Sequence, residues 1–383
     1  MSDAIRVDEG GAAPAPPGLT YAQAGVDYAA IDPAKVLAQR AAAGTAAALG
    51  RWGLAEVAAS RGESAFVWEE GDAYRAMVIE GLGTKNLVAD AMRPIGGRSY
   101  YDAVAQDAVA MIVNDVVVVG AEPQVVAAYW AIGDSGWFDD RERAADLVRG
   151  WAAACAQVGA TWGGGETPAL TGIIAPGTID LAGSCIGIVR PKARLTLGDR
   201  LAPGDAVVLV ASSGIHANGL SLARRLAERL PGRFATPLRD GTRFGDALLV
   251  PTHLYAALVR DVFEAGVDVH YLVNITGHGW RKLMRAPRDL RYRMTEVPPL
   301  SALFAFFVDV GGVALDEAYA NFNMGAGFAV YVPEPHAAMV VDAAARHGLD
   351  AWVAGRVEAG PREVVIEPIG AVYRGDSLGV RAP

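Results

Sequence analysis

"VIEGLGTKNLVAD", residues 78–90, joins a strand-like apolar run to a helical one through two glycines, a hydroxyl and an ammonium. Gly81 and Gly83 permit a tight turn with close backbone approach. Thr84 adds a hydroxyl, and Lys85 can meet a phosphate as a compact point charge. The spacing is not that of a P-loop, G-x-x-x-x-G-K-[ST]. Glu80 precedes the first glycine, where a bare carboxylate would repel a phosphate. The acid makes sense if a cation stands between it and the phosphate, so the stretch predicts a strand–turn–helix unit that handles phosphates through a metal.

Strands and helices continue outward from this unit. "YRAMVIE" (74–80) leads into the turn, and an Ala-rich helix starts near Pro33. "SYYDAVAQDAVAMIVNDVVVVGAEP" (99–123) reads as a long helix passing into a short apolar segment stopped by Gly120 and Pro123. "QVVAAYWAIG" (124–133) reads as a buried strand, and "DDRERAADLVRGWAAACAQVG" (139–159) as an amphipathic helix ending on Gly159. A glycine loop, "TWGGGETPALTG" (161–172), precedes the strand "IDLAGSCIGIVR" (179–190). The turn-rich stretch 190–205 marks a domain boundary. Beyond it come the strand "AVVLVA" (206–211), the loop "SSGIHANG" (212–219), a helix at 220–230, helices at about 246–265 and 335–347, and strands in "MGAGFAVYV", "AWVAGRV" and "EVVIEP". Strands and helices mix without strict alternation, which is an α+β pattern. The expected layout is a disordered tail at 1–20, an N-terminal domain at 21–195 and a C-terminal domain at 196–383.

Composition narrows the function. The chain has 383 residues, 52% hydrophobic and 20% charged, enough for two domains with full cores. Its net charge of −9 argues against free nucleic acid as a partner, because polyanion binding needs a basic face. Cys155 and Cys185 sit in apolar runs and read as buried thiols of a reducing compartment. "MSDAIRVDEGGAAPAPPGLTY" (1–21) lacks a signal-peptide pattern, and the most apolar region, 108–132, is interrupted by Asn114, Asp115, Glu122 and Pro123. The expectation is a cytoplasmic protein that engages no membrane.

Further motifs carry the chemistry. On a helix, Asp107 and Asn114 of "AQDAVAMIVND" fall within about 20° of each other and Asp115 about 80° round, so two oxygen donors share a face of an apolar segment. "GGGETP" sets Gly164 and Gly165 beside Glu166 and Thr167. Glu80, Asp107 and Glu166 are hard donors of the kind Mg²⁺ takes. In "SSGIHANG", Ser212, Ser213 and Gly214 can hold an anion at the next helix N-terminus, with His216 placed to exchange a proton and Asn218 following. "NITGHGWRKLMRAP" (274–287) puts Thr276 and His278 at a helix entry with solvated basic residues after it, and "FNMGAGF" places Asn323 before a strand.

In order, "YAQAGVD", "EGLGTK", "QDAVAMIVND", "GAEP", "GGET", "SSGIHANGLSL", "DVHYLVNITGHG" and "FNMGAGF" resemble the phosphoribosylformylglycinamidine cyclo-ligase (aminoimidazole ribonucleotide synthetase) family from about Tyr21 to Pro368. The resemblance implies a two-domain α+β fold. Its ferredoxin-like N-terminal domains would pair across a homodimer into a β-barrel, and the C-terminal domain would be an α/β sandwich. The implied reaction is ATP-dependent: an amide oxygen is phosphorylated, an amine of the same molecule closes an imidazole ring, and ADP and phosphate leave. Carried over, Glu80, Asp107 and Glu166 would hold Mg²⁺. Gly81, Gly83, Thr84, Lys85, Asn114, Asp115, Gly164, Gly165 and Thr167 would bind ATP. Lys85, Asp107 and His216 would be catalytic, and Ser212, Ser213, Gly214, His216, Asn218, Thr276, His278 and Asn323 would face a small, phosphorylated substrate. The chain departs from the pattern at Glu80 (Asp in the family), in "GGETPALTG" for "GGETAEMPG", and at His278 (Gly in the family). Those departures fit a related ATP-dependent enzyme or small-molecule kinase with another acceptor as the alternative. A catalytically silent nucleotide-binding scaffold is the reading from a different class. Selenophosphate synthetase is disfavoured because no Cys lies near the first glycine loop. The hydrogenase-maturation dehydratase is disfavoured because "LGVRAP" ends without Cys.

Overall fold

A computed structural model of the chain describes residues 28–379, so the tail expected at 1–20 lies outside the described residues. The first sheet contains β1 (Ala55–Glu56), β2 (Phe66–Glu70), β3 (Ala73–Gly81), β4 (Glu122–Ile132), β5 (Thr161–Glu166) and β6 (Ile179–Val189), in the order β1-β2-β3-β6-β4-β5. Only β4 and β5 run parallel. The accompanying helices are α1 (Tyr28–Ala43), α2 (Lys85–Gly96), α3 (Tyr101–Val117) and α4 (Arg141–Val158).

Alternation decides which face of this sheet is covered. Ala76 and Val78 of β3 and Leu181 and Cys185 of β6 point into the core, and α3 lies on that side. The opposite face leaves Met77, Ile79, Val125, Tyr129 and Ile186 between 37% and 74% exposed. Met77 is in register with Ile186, and Ile186 with Val125, so the exposed residues form a row across three strands. The run expected to be a wholly buried strand is therefore half-buried.

Helix α4 starts where the Asp140 carboxylate accepts the Arg143 N–H and stops at left-handed Gly159, as its sequence predicts. It crosses α3 at Gly150, where a Cβ would stand 2.3 Å from the Asp102 carbonyl oxygen. The obstructing Asp102 atoms belong to backbone, which cannot swing aside. Gly150→Ala should therefore destabilise the protein by about 2 kcal/mol despite alanine's better helix propensity. A lower urea midpoint than wild type is the expected reading, and an unchanged one would refute this contact.

The second sheet contains β7 (Asp205–Ala211), β8 (Tyr271–Asn274), β9 (Leu290–Met294), β10 (Ala326–Pro333), β11 (Ala351–Ala359), β12 (Glu363–Ile366) and β13 (Ala371–Arg374), in the order β13-β12-β9-β11-β7-β10-β8. Around it stand α5 (Leu220–Arg229), α6 (Phe244–Leu248), α7 (Ala256–Glu264), α8 (Ala302–Asp309), α9 (Leu315–Asn321) and α10 (Ala337–Arg346). The stretch 190–204 lies between β6 of the first sheet and β7 of the second.

Two expectations change. "GGGE" is not loop but the exposed edge strand β5. The helix expected at 246–265 is split into α6 and α7, because Pro251 interrupts it and residues 250–255 dock on α3 instead. Among the described residues, no helix is long and apolar enough to cross a membrane.

Candidate active site

A cleft of about 220 Å³ opens between the two domains. Glu80–Thr84 form one wall, Ala217–Ser221 the other, and Met111 lies between them. The N-termini of α2 and α5 both end at this cleft, so their free N–H groups and partial positive charge meet there. Gly83 has φ 78°, and a Cβ on Gly81 or Gly83 would meet only open space, which leaves the backbone accessible. The buried Thr84 hydroxyl has no hydrogen-bond partner among the described residues. Two helix N-termini, an open glycine turn and an unused hydroxyl suit an anion such as a phosphate.

Lys85 does not reach into this cleft. It and Asp107 are both 0% exposed and form a salt bridge at 2.8 Å. The Lys85 ammonium also donates to the carbonyls of His216 (3.0 Å) and Val250 (2.8 Å). The Asp107 carboxylate accepts from the Thr252 N–H at 2.8 Å and the Thr252 hydroxyl at 2.5 Å. Burial lowers Lys85 and raises Asp107, and their mutual attraction opposes both shifts. Asn114, on the same face of α3, donates to the His253 carbonyl and accepts the Tyr255 N–H. The face read as a ligand-bearing stripe is thus the strut that carries the second domain.

The Asp115 charge acts on Glu80 instead. Glu80, at the end of β3, has its pKa raised to about 7 by burial first and by the Asp115 charge second, with Lys282 and Arg285 pulling the other way. Asn274 of β8 donates to Asp115 at 2.7 Å. The Lys282 ammonium is held by the Thr276 hydroxyl, and burial pulls it down to about 8 against the attraction of Asp115 and Glu80. Two carboxylates whose charges repel suit a divalent cation, which would relieve that repulsion. The expected trio of Glu80, Asp107 and Glu166 does not fit one, because the chain never brings them together. Asp107 takes the Lys85 and Thr252 hydrogen bonds on Oδ1, and its Oδ2 faces the Lys85 ammonium at 2.8 Å. Glu80 pairs with Gly183, Gly183 with Ala128, and Ala128 with Gly165, so Glu166 lies three strand spacings away, about 14 Å. Gly164, Gly165 and Thr167 stay with it at the exposed edge. Among the described residues no group of three or more His, Cys, Asp or Glu side chains is arranged to hold a metal.

The family description "AIR synthase related protein, N-terminal domain" matches residues 62–189, and its C-terminal counterpart matches 202–367. A phosphoribosylformylglycinamidine cyclo-ligase of Anaeromyxobacter sp. (strain Fw109-5) is 41% identical over 307 residues, 77% of this chain and 85% of that protein. One of Symbiobacterium thermophilum is 38% identical over 369 residues, 91% of this chain and 98% of that protein. The chain belongs to the phosphoribosylformylglycinamidine cyclo-ligase family. Solved structures place the cyclo-ligase fold in wider company. The crystal structure of a HypE–HypF complex matches with TM-score 0.58 at 17% identity over 82% of this chain and 92% of that one. An AaThiL complex with AMPPCP and TMP matches with TM-score 0.56 at 16% identity over 82% of this chain and 90% of that one.

The loop that matches the cyclo-ligase pattern in the second domain is braced from behind. Asn323 accepts from the Ser212 hydroxyl and donates to the Gly214 carbonyl, while Ser213 donates to the Pro251 carbonyl at 2.6 Å. His216 has φ 62°, is 1% exposed, and accepts the Ser213 N–H through Nε2 at 3.2 Å. Burial, with His253 and Lys85 nearby, holds its pKa well below the usual range, so its ring is a neutral loop brace. Asn218 alone of these residues lines the cleft, its amide 3.8 Å from the Met111 sulfur. Thr276 and His278 are buried, and so is Lys282, expected on a solvated face. Sequence reading put Asp115 among the ATP contacts and Lys282 on a solvated helix face. The available signal was that "VND" ends a helix pointing at the "NIT" strand end, which a pairing of Asp115 with Asn274 makes explicit.

Proposed function

We propose that the protein is an ATP-dependent cyclo-ligase that converts formylglycinamidine ribonucleotide to aminoimidazole ribonucleotide. Membership of the family supports the reaction. The observation that carries the site is the convergence of two helix N-termini and the Gly81–Thr84 turn beside the Glu80–Asp115 pair. The ATP phosphates lie along the turn, receiving N–H groups from α2 and α5 and the Thr84 hydroxyl. Glu80 and Asp115 would hold Mg²⁺, which when bound would supply the positive charge that phosphoryl transfer needs. The γ-phosphoryl passes to the amide oxygen of the substrate. The substrate's own amine then attacks the activated carbon, the ring closes, and phosphate leaves with the former amide oxygen. Lys282, held by Thr276, offsets negative charge at the carboxylates. Lys85 and Asp107 act by fixing the second domain to the first.

The protein works as a homodimer in this reading, because the row Met77–Ile186–Val125 is an apolar sheet face that a second copy would cover. The test is ADP release from Mg·ATP with and without formylglycinamidine ribonucleotide. Substrate-dependent ADP with stoichiometric aminoimidazole ribonucleotide is expected. ADP release indifferent to that substrate would overturn the choice of acceptor, and absence of ATP binding by calorimetry would overturn the reading entirely.

A further inference from the structure

The chain carries its net charge of −9 unevenly. "LSLARRLAERLPGRFA" (220–235) holds four arginines against one acid, Glu228. Two of them, Arg224 and Arg233, line a groove of about 550 Å³ between α2 of the first domain and α5 of the second. Neither guanidinium makes a hydrogen bond or ion pair among the described residues.

The rest of the lining is apolar and fixed. Leu87 and Ile95, two turns apart on α2, share it with Phe234. Phe234 stacks on the wholly buried Phe244, with ring centroids 6.3 Å apart, which ties the groove to the core. Arg233 follows Gly232 and has φ 47°, in the left-handed region that favours glycine. That conformation costs free energy, and such outliers collect at ligand clamps. Glu228 also lines the groove, where its Oε2 meets Arg225 at 3.3 Å and its Oε1 has no partner among the described residues. A larger cavity of about 800 Å³ beside the linker offers no free cation. Its Lys192 is paired with Glu69, Arg200 with Asp268, and Arg288 with the Asp199 carbonyl.

A slot with a phenyl ring, two free guanidiniums and one carboxylate matches a flat heterocycle that carries a phosphate and N–H donors. Sites of roughly 300–1,000 Å³ at domain boundaries, mostly apolar with a few polar groups, are the usual setting for small ligands. Arginine meets phosphate through two parallel N–H groups. An ionised carboxylate only accepts, so Glu228 repels a plain organic acid and favours a base edge rich in N–H donors. Guanine offers two adjacent donors on one edge. We infer that the α2–α5 groove binds a guanine nucleoside monophosphate, its base against Leu87, Ile95 and Phe234 and its phosphate between Arg224 and Arg233. This site is separate from the cleft and does not rest on the function proposed above.

Calorimetric titration of the full chain with GMP, with and without saturating Mg·AMPPNP, tests the site. GMP should bind in both conditions. Arg224→Ala and Arg233→Ala should each weaken GMP binding about tenfold. Neither should lower the melting temperature, because neither side chain bonds to the rest of the described protein. IMP, which lacks the 2-amino group, should bind about tenfold more weakly than GMP, and Glu228→Gln should narrow that gap. Absence of GMP binding, displacement of GMP by AMPPNP, or binding indifferent to both arginine substitutions would overturn the site. Equal binding of IMP and GMP by wild type would overturn the guanine assignment. A monomer–dimer equilibrium that shifts in Arg233→Ala while GMP fails to bind would give the groove to a second copy instead.

Discussion

Asp107→Asn should lower the stability of the protein by about 3–5 kcal/mol, because it strands a buried ammonium. Lys85 and Asp107 have no exposed surface, and the bonds around them cross the domain seam to His216, Val250 and Thr252. Asparagine keeps the shape but supplies no negative charge, so Lys85 must either stay charged without compensation or lose its proton. Urea denaturation should show a lower midpoint. The double substitution Lys85→Met with Asp107→Leu should recover most of that loss, since removing both charges of a buried pair is far cheaper than removing one. Activity should fall in Asp107→Asn as a consequence of the loosened seam. A fully stable Asp107→Asn protein with no turnover would reverse this assignment and return Asp107 to the phosphate chemistry.

The fold was legible wherever periodicity was strong. The alternation of "YRAMVIE" and the capped amphipathic run before Gly159 predict β3 and α4 closely. Edge strand β5 was not legible, since three glycines carry no apolar alternation and their pairing with β4 comes from the sheet. The break between α6 and α7 was signalled by Pro251 and passed over. At the site, the grouping expected from the sequence differs from the contacts the fold makes. Helical angle alone put Asp107 and Asn114 together and Asp115 apart, and that separation is real. What angle cannot give is which face meets a cleft and which meets the other domain. Here the Asp107–Asn114 face receives residues 250–255, and Asp115 is left for Glu80. Lys282 was invisible for a similar reason. A lysine in "GWRKLMR" reads as solvated until the short helix Gly279–Met284 is seen packed with that side chain inward.

Glu80→Gln should separate catalysis from stability in the opposite sense to Asp107→Asn. Turnover of Mg·ATP should fall by about 10²–10³, the usual cost of losing a group that holds charge against a phosphoryl centre. Stability of the ligand-free protein should not fall, because the carboxylate is crowded by Asp115 and disfavoured by burial. The pH dependence gives the sharper reading. Burial, with the Asp115 charge, raises Glu80 from the ordinary carboxylate value of 4.5 to about 7 in the fold, so between these values the folded state holds a proton that the unfolded chain has released. Its contribution to stability is fully present below pH 4.5 and is lost as pH rises to 7. Wild type minus Glu80→Gln should therefore decline over that window, and magnesium should shrink the difference by favouring the ionised carboxylate. Asp115→Asn should reduce turnover similarly and also bring Glu80 down toward its ordinary range. If Glu80→Gln keeps full turnover, or if its stability tracks wild type across pH 4.5–7, the carboxylate pair is not the charge centre of the cleft.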